Sequence, residues 1–228
     1  MKIIEADNLI IGSGPGGSTI IHNLMKEGQN SFLVEEGDEY NLKNDLIDNN
    51  ILNLSKELKQ KWRNGGAQFT FGNQPISFSE GACFGGGSEI NSGIYQEASS
   101  QLINQFAKNY KIDNFNSNII NDYYSKIKKI INIKIENNNS GFPSSLIKQL
   151  SKSQSWSYKD LPRISKDNNT TQKDSRKLIR QSMSNTLLEN AKNSGLQYIT
   201  KTKIIKLNIK NNSIISAIGI NYSNNNIR

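Results

Sequence analysis

Three groups of residues carry types and spacings that point to chemistry. The first is Gly12-Ser13-Gly14-Pro15-Gly16-Gly17, in which Gly12, Gly14 and Gly17 form G-x-G-x-x-G. In that pattern the first glycine permits a tight turn and the second lets a pyrophosphate approach the backbone. The third lets a helix pack close to a strand. Pro15 suits a first helical turn, where its missing N–H is not needed. The free N–H groups and partial positive charge of that helix end would hold a diphosphate. The second group is Glu35 alone, 21 positions after Gly14, where an acid accepts hydrogen bonds from ribose hydroxyls. The third is Gly81 to Tyr95, GACFGGGSEINSGIY. Its run Gly85-Gly86-Gly87 holds regular structure poorly and suits a backbone passing close to a flat or charged ligand. Ser88 and Asn91 supply side-chain hydrogen bonds beside it, and Ser88 is also expected to cap a following helix.

Two residue types that often carry catalysis read as structural here. His22, the one histidine, falls in the first helix beside Ile21 and one turn before Lys26. It reads as a partly exposed helical residue. Cys83, the one cysteine, stands just before the glycines and reads as a small packed side chain. No catalytic residue and no metal ligand is assigned.

The elements that must position these groups follow from the apolar pattern. Leu9, Ile10 and Ile11 form a short run typical of a buried parallel strand. Ile20, Ile21, Leu24 and Met25 give a helical stripe that would cover a sheet, and Gly28 ends it. Ser31 to Val34 is a second strand with Glu35 at its C-terminal end. Strand, glycine turn, helix, strand and terminal acid together make a dinucleotide site a much stronger reading than the glycines alone. Further on, Leu46, Ile47, Ile51, Leu54 and Leu58 predict a helix leading to Trp62. Residues 67–71 and 75–78 predict a hairpin around Gly72-Asn73. Residues 101–135 predict helices, the last over Asn118 to Ile135. Residues 136–142 read as a linker and 143–175 as polar and irregular. Ile179, Met183, Leu187 and Ala191 predict an amphipathic helix over Arg176 to Asn193, closed by Ser194-Gly195. Two alternating strands follow, turning at Asn211-Asn212, with Ile205, Leu207 and Ile209 on one face of the first. Ile214, Ile218, Ile220 and Tyr222 share a face of the second.

The 228 residues suffice for one domain or a small pair. No apolar run approaches the length of a membrane span and no charged-then-apolar leader is present, so neither a span nor a signal peptide is expected. A single cysteine forms no internal disulfide, which fits a reducing, cytoplasmic location. The net charge of +8 is uneven. Residues 1–140 hold 13 Lys+Arg against 16 Asp+Glu, and residues 141–228 hold 15 against 4. Frequent Asn, Lys and Ile read as a compositional bias, and no aromatic interleaving accompanies the lysines. No nucleic-acid partner is expected, and the basic half reads first as solvated surface.

The two glycine-rich stretches together resemble the N-terminal part of the glucose–methanol–choline (GMC) oxidoreductases, which are flavoenzymes. GSGPGG with VEEG, and the GGGSEIN form, look most like the long-chain alcohol oxidase and cholesterol oxidase branch. The hairpin and Arg63-Asn64-Gly65-Gly66 ahead of the loop look similar to it as well. Gly87 replaces the first serine of the commoner G-G-S-S form, and Glu89 stands where many members have a small residue. The resemblance implies an α/β fold, a Rossmann-like FAD-binding domain, incomplete, with a partial α+β substrate or cap region. It implies FAD, with Gly12, Ser13, Gly14, Pro15, Gly16 and Gly17 at the pyrophosphate and Glu35 on the adenosine ribose. Gly85, Gly86, Gly87, Ser88 and Asn91 would lie near the flavin end, and a backbone group at Ile204 near the adenine. The implied division is an N-terminal FAD-binding portion over 1–135, a linker and partial cap over 136–175, and a helix plus hairpin returning to the first domain over 176–228.

The implied reaction oxidises a CH–OH group, with a base taking the hydroxyl proton while hydride moves to flavin. Family members continue for several hundred residues, which carry the last parallel strand, the rest of the substrate domain and the catalytic histidine. The expectation is therefore a FAD-binding half that is inactive and poorly stable alone, completed by a second polypeptide and acting on a small-molecule alcohol. The alternative is a non-catalytic FAD- or nucleotide-binding module that docks a partner through its basic C-terminal half. An NAD-dependent dehydrogenase is a weaker reading, because Gly85 to Asn91 would have no role and further βα repeats are lacking.

Overall fold

The computed structural model describes residues 2–40, 51–135, 142–167 and 178–223. In chain order the elements begin with β1 (Asn8–Ile11), α1 (Pro15–Lys26), β2 (Ser31–Val34), α2 (Ile51–Lys61), β3 (Gln68–Thr70) and β4 (Ile76–Phe78). Next come α3 (Ser100–Tyr110), α4 (Ser117–Lys128), β5 (Ile133–Lys134), α5 (Phe142–Ser153), β6 (Arg163–Asp167) and β7 (Leu178–Arg180). The last are α6 (Leu187–Asn193), β8 (Gln197–Ile199), β9 (Thr202–Lys210) and β10 (Ser213–Asn221). Their contacts divide the chain into two units, one of residues 1–91 with 182–228 and one of residues 92–181.

The first unit is built on a parallel sheet of order β1-β2-β8. Asn8 pairs with Ser31 and Ile11 with Val34, while Phe32 pairs with Gln197 and Val34 with Ile199. Helix α1 makes the crossover from β1 to β2, and α6 leads into β8 and packs on α1. Ile21, Leu33 and Leu188 are completely buried and Leu187 nearly so, so the core lies between these two helices and the sheet. All of β2 is buried, as the middle strand of a covered parallel sheet must be. The buried strand expected over Leu9 to Ile11 is buried on one face only: Ile10 lies toward Gly17 of α1, whereas Leu9 and Ile11, on the opposite face by strand alternation, are exposed. Two antiparallel hairpins complete the unit. In β3–β4, Gln68 faces Phe78. In β9–β10, Ser213 faces Lys210 across Asn211-Asn212, and register shifts follow between Ile214 and Ser216 and between Ile218 and Gly219.

The second unit holds α3, α4 and α5 with an antiparallel sheet of order β5-β6-β7. Ser99 caps α3 by accepting from the Leu102 N–H at 3.2 Å, and the Asn116 side chain caps α4 through Asn118 and Ile119 at 3.1 Å each. Ile103 and Ile131 are its buried apolar residues among those described.

Several expectations change. The helix expected over Arg176 to Asn193 is a strand at Leu178–Arg180, a turn over residues 182–186, and the seven-residue α6. The i/i+4 spacing is real, but Thr186 Oγ donates to the Ser182 carbonyl at 2.7 Å and the Asn185 N–H donates there as well. Such local polar bonds offer the backbone an alternative to the helix. Residues 176 and 177 of that stretch lie outside the described residues. The helix expected to Ile135 stops at Lys128, and Ile133–Lys134 is a strand. The stretch expected to be irregular after residue 142 contains α5 and β6. The helix leading to Trp62 is α2; Leu46 and Ile47 lie outside the described residues, as do 136–141 of the expected linker.

Candidate functional site

The strand β1 runs directly into the glycine turn. Gly12 has φ +91° and its N–H donates to the Val34 carbonyl at 2.8 Å, which ties the turn to the end of β2. Gly14 is extended and precedes Pro15, the first residue of α1. No side chain caps this helix end and no acidic residue occupies its first turn. The Gly16 and Gly17 N–H groups stand there without a preceding carbonyl to take them. The glycines have opposite surroundings. A Cβ on Gly17 would lie 1.9 Å from the Gly12 carbonyl oxygen, so helix and turn meet backbone to backbone. A Cβ on Gly14 or Gly16 would meet no protein atom within 4 Å.

Glu35, buried at the end of β2, braces this turn. Its Oε2 accepts from the Ser13 N–H at 2.8 Å and from the Ser13 hydroxyl at 2.5 Å. Its Oε1 accepts from the Gly37 N–H at 2.8 Å. The Ser13 carbonyl accepts from the Ser18 hydroxyl at 2.6 Å. The carboxylate thus fixes the loop on one side and keeps lone-pair capacity on Oε1.

The second glycine loop lies against the first. The buried Gly85 donates its N–H to Ser13 Oγ at 2.9 Å. A Cβ on Gly86 would sit 2.8 Å from the Gly14 Cα. Residues Gly86–Glu89 form a single 3-10 turn. Ser88 caps no following helix: its hydroxyl donates to the Gly85 carbonyl at 2.7 Å and accepts from the Met183 N–H at 2.9 Å. The next helix, α3, is capped by Ser99. Glu89 is buried and accepts from the Ser184 N–H at 3.3 Å, so this larger residue turns toward the 182–186 turn. Gly87 is exposed, with open space where a Cβ would be. An open cavity of about 610 Å³ lies beside it, lined by Trp62, Arg63, Glu80, Gly81, Gly87 and Asn91. The Asn91 N–H donates to the Gly87 carbonyl at 3.0 Å.

An ionic cluster that the motif reading did not contain surrounds the strand end. Arg63 forks onto both oxygens of Glu36 at 3.2 Å and reaches Glu80 through Nε at 2.8 Å. Lys203 lies 3.4 Å from Glu36, Lys201 lies 2.8 Å from Asp38, and Lys192 pairs with Glu39. Burial by itself would raise the Glu36 carboxyl; Arg63 and Lys203 outweigh it and hold the group below the usual carboxylate value. Arg63 is correspondingly pushed above the usual guanidinium value by Glu36, against the effect of burial. The acid following Glu35 and the arginine of the R-N-G-G run were the available signals. Ile204 is half-buried on β9 opposite Gly219. Its strand starts at the same place: the Thr202 N–H donates to the Glu35 carbonyl at 2.9 Å and the Lys201 N–H to that of Gly37.

His22 is half-buried on α1 near the Leu187 backbone. Burial, with Lys26 nearby, draws its imidazole below the usual value despite that backbone contact. Cys83 is fully buried. Among the described residues, no three His, Cys, Asp or Glu side chains gather as a metal site, and no helix is long and apolar enough to cross a membrane.

Comparison with known proteins places this geometry. The family described as GMC oxidoreductase matches residues 7–227. The chain is 31% identical over 212 residues to an uncharacterised GMC-type oxidoreductase, y4nJ, of Sinorhizobium fredii, a match covering 91% of this chain and 41% of that protein. Its fold matches the crystal structure of pyridoxine 4-oxidase from Mesorbium loti with a TM-score of 0.72 at 12% identity. That match covers 96% of this chain and 47% of the other. The chain therefore spans about two-fifths of the curated relative and about half of the solved one.

Proposed function

The chain belongs to the GMC oxidoreductase family, and on that footing we propose that its first unit binds FAD for the oxidation of an alcohol CH–OH group. The observation that carries the reading is the contrast between Gly14 and Gly17. Gly17 is required by the protein itself, because a Cβ there would overlap Gly12. A Cβ on Gly14 would meet no protein atom within 4 Å, so the space left by its missing side chain serves something outside the protein. A diphosphate fits that space: it accepts from the uncapped N–H groups of α1 and is favoured by the positive end of the helix. The free capacity of Glu35 Oε1 suits a ribose hydroxyl, and the Thr202–Ile204 segment beside Glu35 suits the adenine edge. The second loop, in contact with the first, would carry the flavin end past Gly85, Gly86 and Gly87 toward Asn91.

Bound FAD would supply the two-electron acceptor for the hydride. The residues of this chain bind and orient. The base that takes the hydroxyl proton is assigned to none of the described residues, since His22 sits between α1 and α6. We assign that base, and the remainder of the alcohol site, to polypeptide outside these 228 residues; the shares of the relatives that this chain spans support that assignment. The alternative of docking through the basic half is less favoured, because Lys192, Lys201 and Lys203 pair with acids of their own unit.

The test is to incubate the protein with FAD, remove the excess and record the flavin absorbance that stays with it. Wild type should retain flavin. Gly14→Val should fold and weaken FAD by roughly tenfold or more, the scale of one or two lost charge-assisted contacts. Retention of NAD with exclusion of FAD would overturn the proposal.

A further inference from the structure

We propose that Ser13 is a positioning residue that locks the second glycine loop onto the first through its side-chain hydroxyl. Its polar atoms are all used within the protein. The N–H and hydroxyl both donate to Glu35 Oε2, the carbonyl accepts from Ser18, and Oγ accepts from the Gly85 N–H. Ser13 is completely buried. A hydroxyl has one proton, and an ionised carboxylate only accepts. The proton of Ser13 is therefore committed to Glu35, and a lone pair of Oγ faces Gly85. The chain carboxylate, hydroxyl, amide has one direction and spans 72 positions of sequence.

The geometry leaves the second loop few other holds on the first. Gly86 and Gly14 touch through bare backbone, a contact that packs without orienting. The Ser13–Gly85 bond is directional, and removing its acceptor leaves a buried N–H unpaired. The position of the second loop is accordingly set by the same carboxylate that stands at the end of β2. In functional terms, which rest on the FAD reading above, Ser13, expected from the motif at the pyrophosphate, instead aligns the two halves of the cofactor site, its own polar atoms being spent within the protein.

The experiment compares Ser13→Ala with Ser18→Ala, which also removes a buried hydroxyl from this turn but leaves Gly85 untouched. The first readout is hydrogen exchange of the Gly85 amide in protein free of FAD. Ser13→Ala should speed that exchange roughly tenfold or more over wild type, and Ser18→Ala should leave it near wild type. The second readout is FAD affinity, expected to fall roughly tenfold in Ser13→Ala. Should the alanine variant fail to fold, Ser13→Cys keeps a weak acceptor and should give an intermediate exchange rate. Unchanged Gly85 exchange in Ser13→Ala, or equal acceleration in both alanine variants, would overturn the proposal. Accelerated Gly85 exchange in a protein whose wild type binds no FAD would support the coupling while refuting the cofactor.

Discussion

A single methyl group separates two kinds of glycine in this turn. At position 17 it would be driven into the Gly12 carbonyl, with helix α1 unable to give way without leaving the sheet. Gly17→Ala is expected to destabilise the fold by roughly 1–3 kcal/mol, the cost of overpacking a filled contact. Gly14→Ala should stay within about 0.5 kcal/mol, as for a surface change. Denaturant titration of the two variants checks this, and equal losses would remove the distinction. The roles of Gly12, Gly14 and Gly17 were legible in the sequence because each follows from local backbone geometry at fixed spacing. Glu35 was legible by position. The bracing of Ser13 by Glu35 was not, and neither was the Gly85 bond, since no local pattern announces a partner 72 residues away. The Glu36–Arg63–Glu80 cluster was hidden for the same reason.

Among the elements, the β9–β10 hairpin was the clearest in the sequence. Its turn residues Asn211 and Asn212 have φ of 49° and 60°, the left-handed pair that a two-residue hairpin turn needs. Asn212→Gly is therefore expected to raise stability by roughly 0.5 kcal/mol and Asn212→Val to lower it by about 1 kcal/mol. Thermal melts of both variants read this out, and a gain for valine would contradict the turn type. The turn and the βαβ periodicity were legible because they are set by residues close in sequence; the single apolar face expected over Ile214, Ile218, Ile220 and Tyr222 does not hold, because the register shift between Ile214 and Ser216 puts Ile214 out of phase with Ile218. Strand β8 was not, because three residues beside β2 gain their identity from pairing with Phe32, Leu33 and Val34. The helix expected before it failed where Ser182 and Thr186 bonded locally. There the apolar spacing of Met183, Leu187 and Ala191 described burial, which all three show, and not helix length.

At the scale of the whole molecule, the charge imbalance between the two ends of the sequence is partly resolved by folding. Lysines 192, 201 and 203 from the basic end meet acids 39, 38 and 36 from the acidic end. Apolar surface is less fully resolved. Phe71 is 92% exposed and Ile209 66%, with Phe69, Ile76, Ile214 and Ile215 also exposed on the two hairpins. Surfaces of that kind bind partners or associate. The isolated chain is expected to enhance the fluorescence of a hydrophobic dye and to associate as its concentration rises; a monomer without dye binding would argue against it. The sheet also has a consequence in time. Its strands β1 and β2 end at Val34, but the strand that completes their pairing begins at Gln197. At roughly 5–20 residues per second of synthesis, the first βαβ half leaves the ribosome some 8–30 seconds before its third strand exists. During that interval the buried residues of β2 have one side uncovered, and the growing protein depends on whatever shields that edge in the cell.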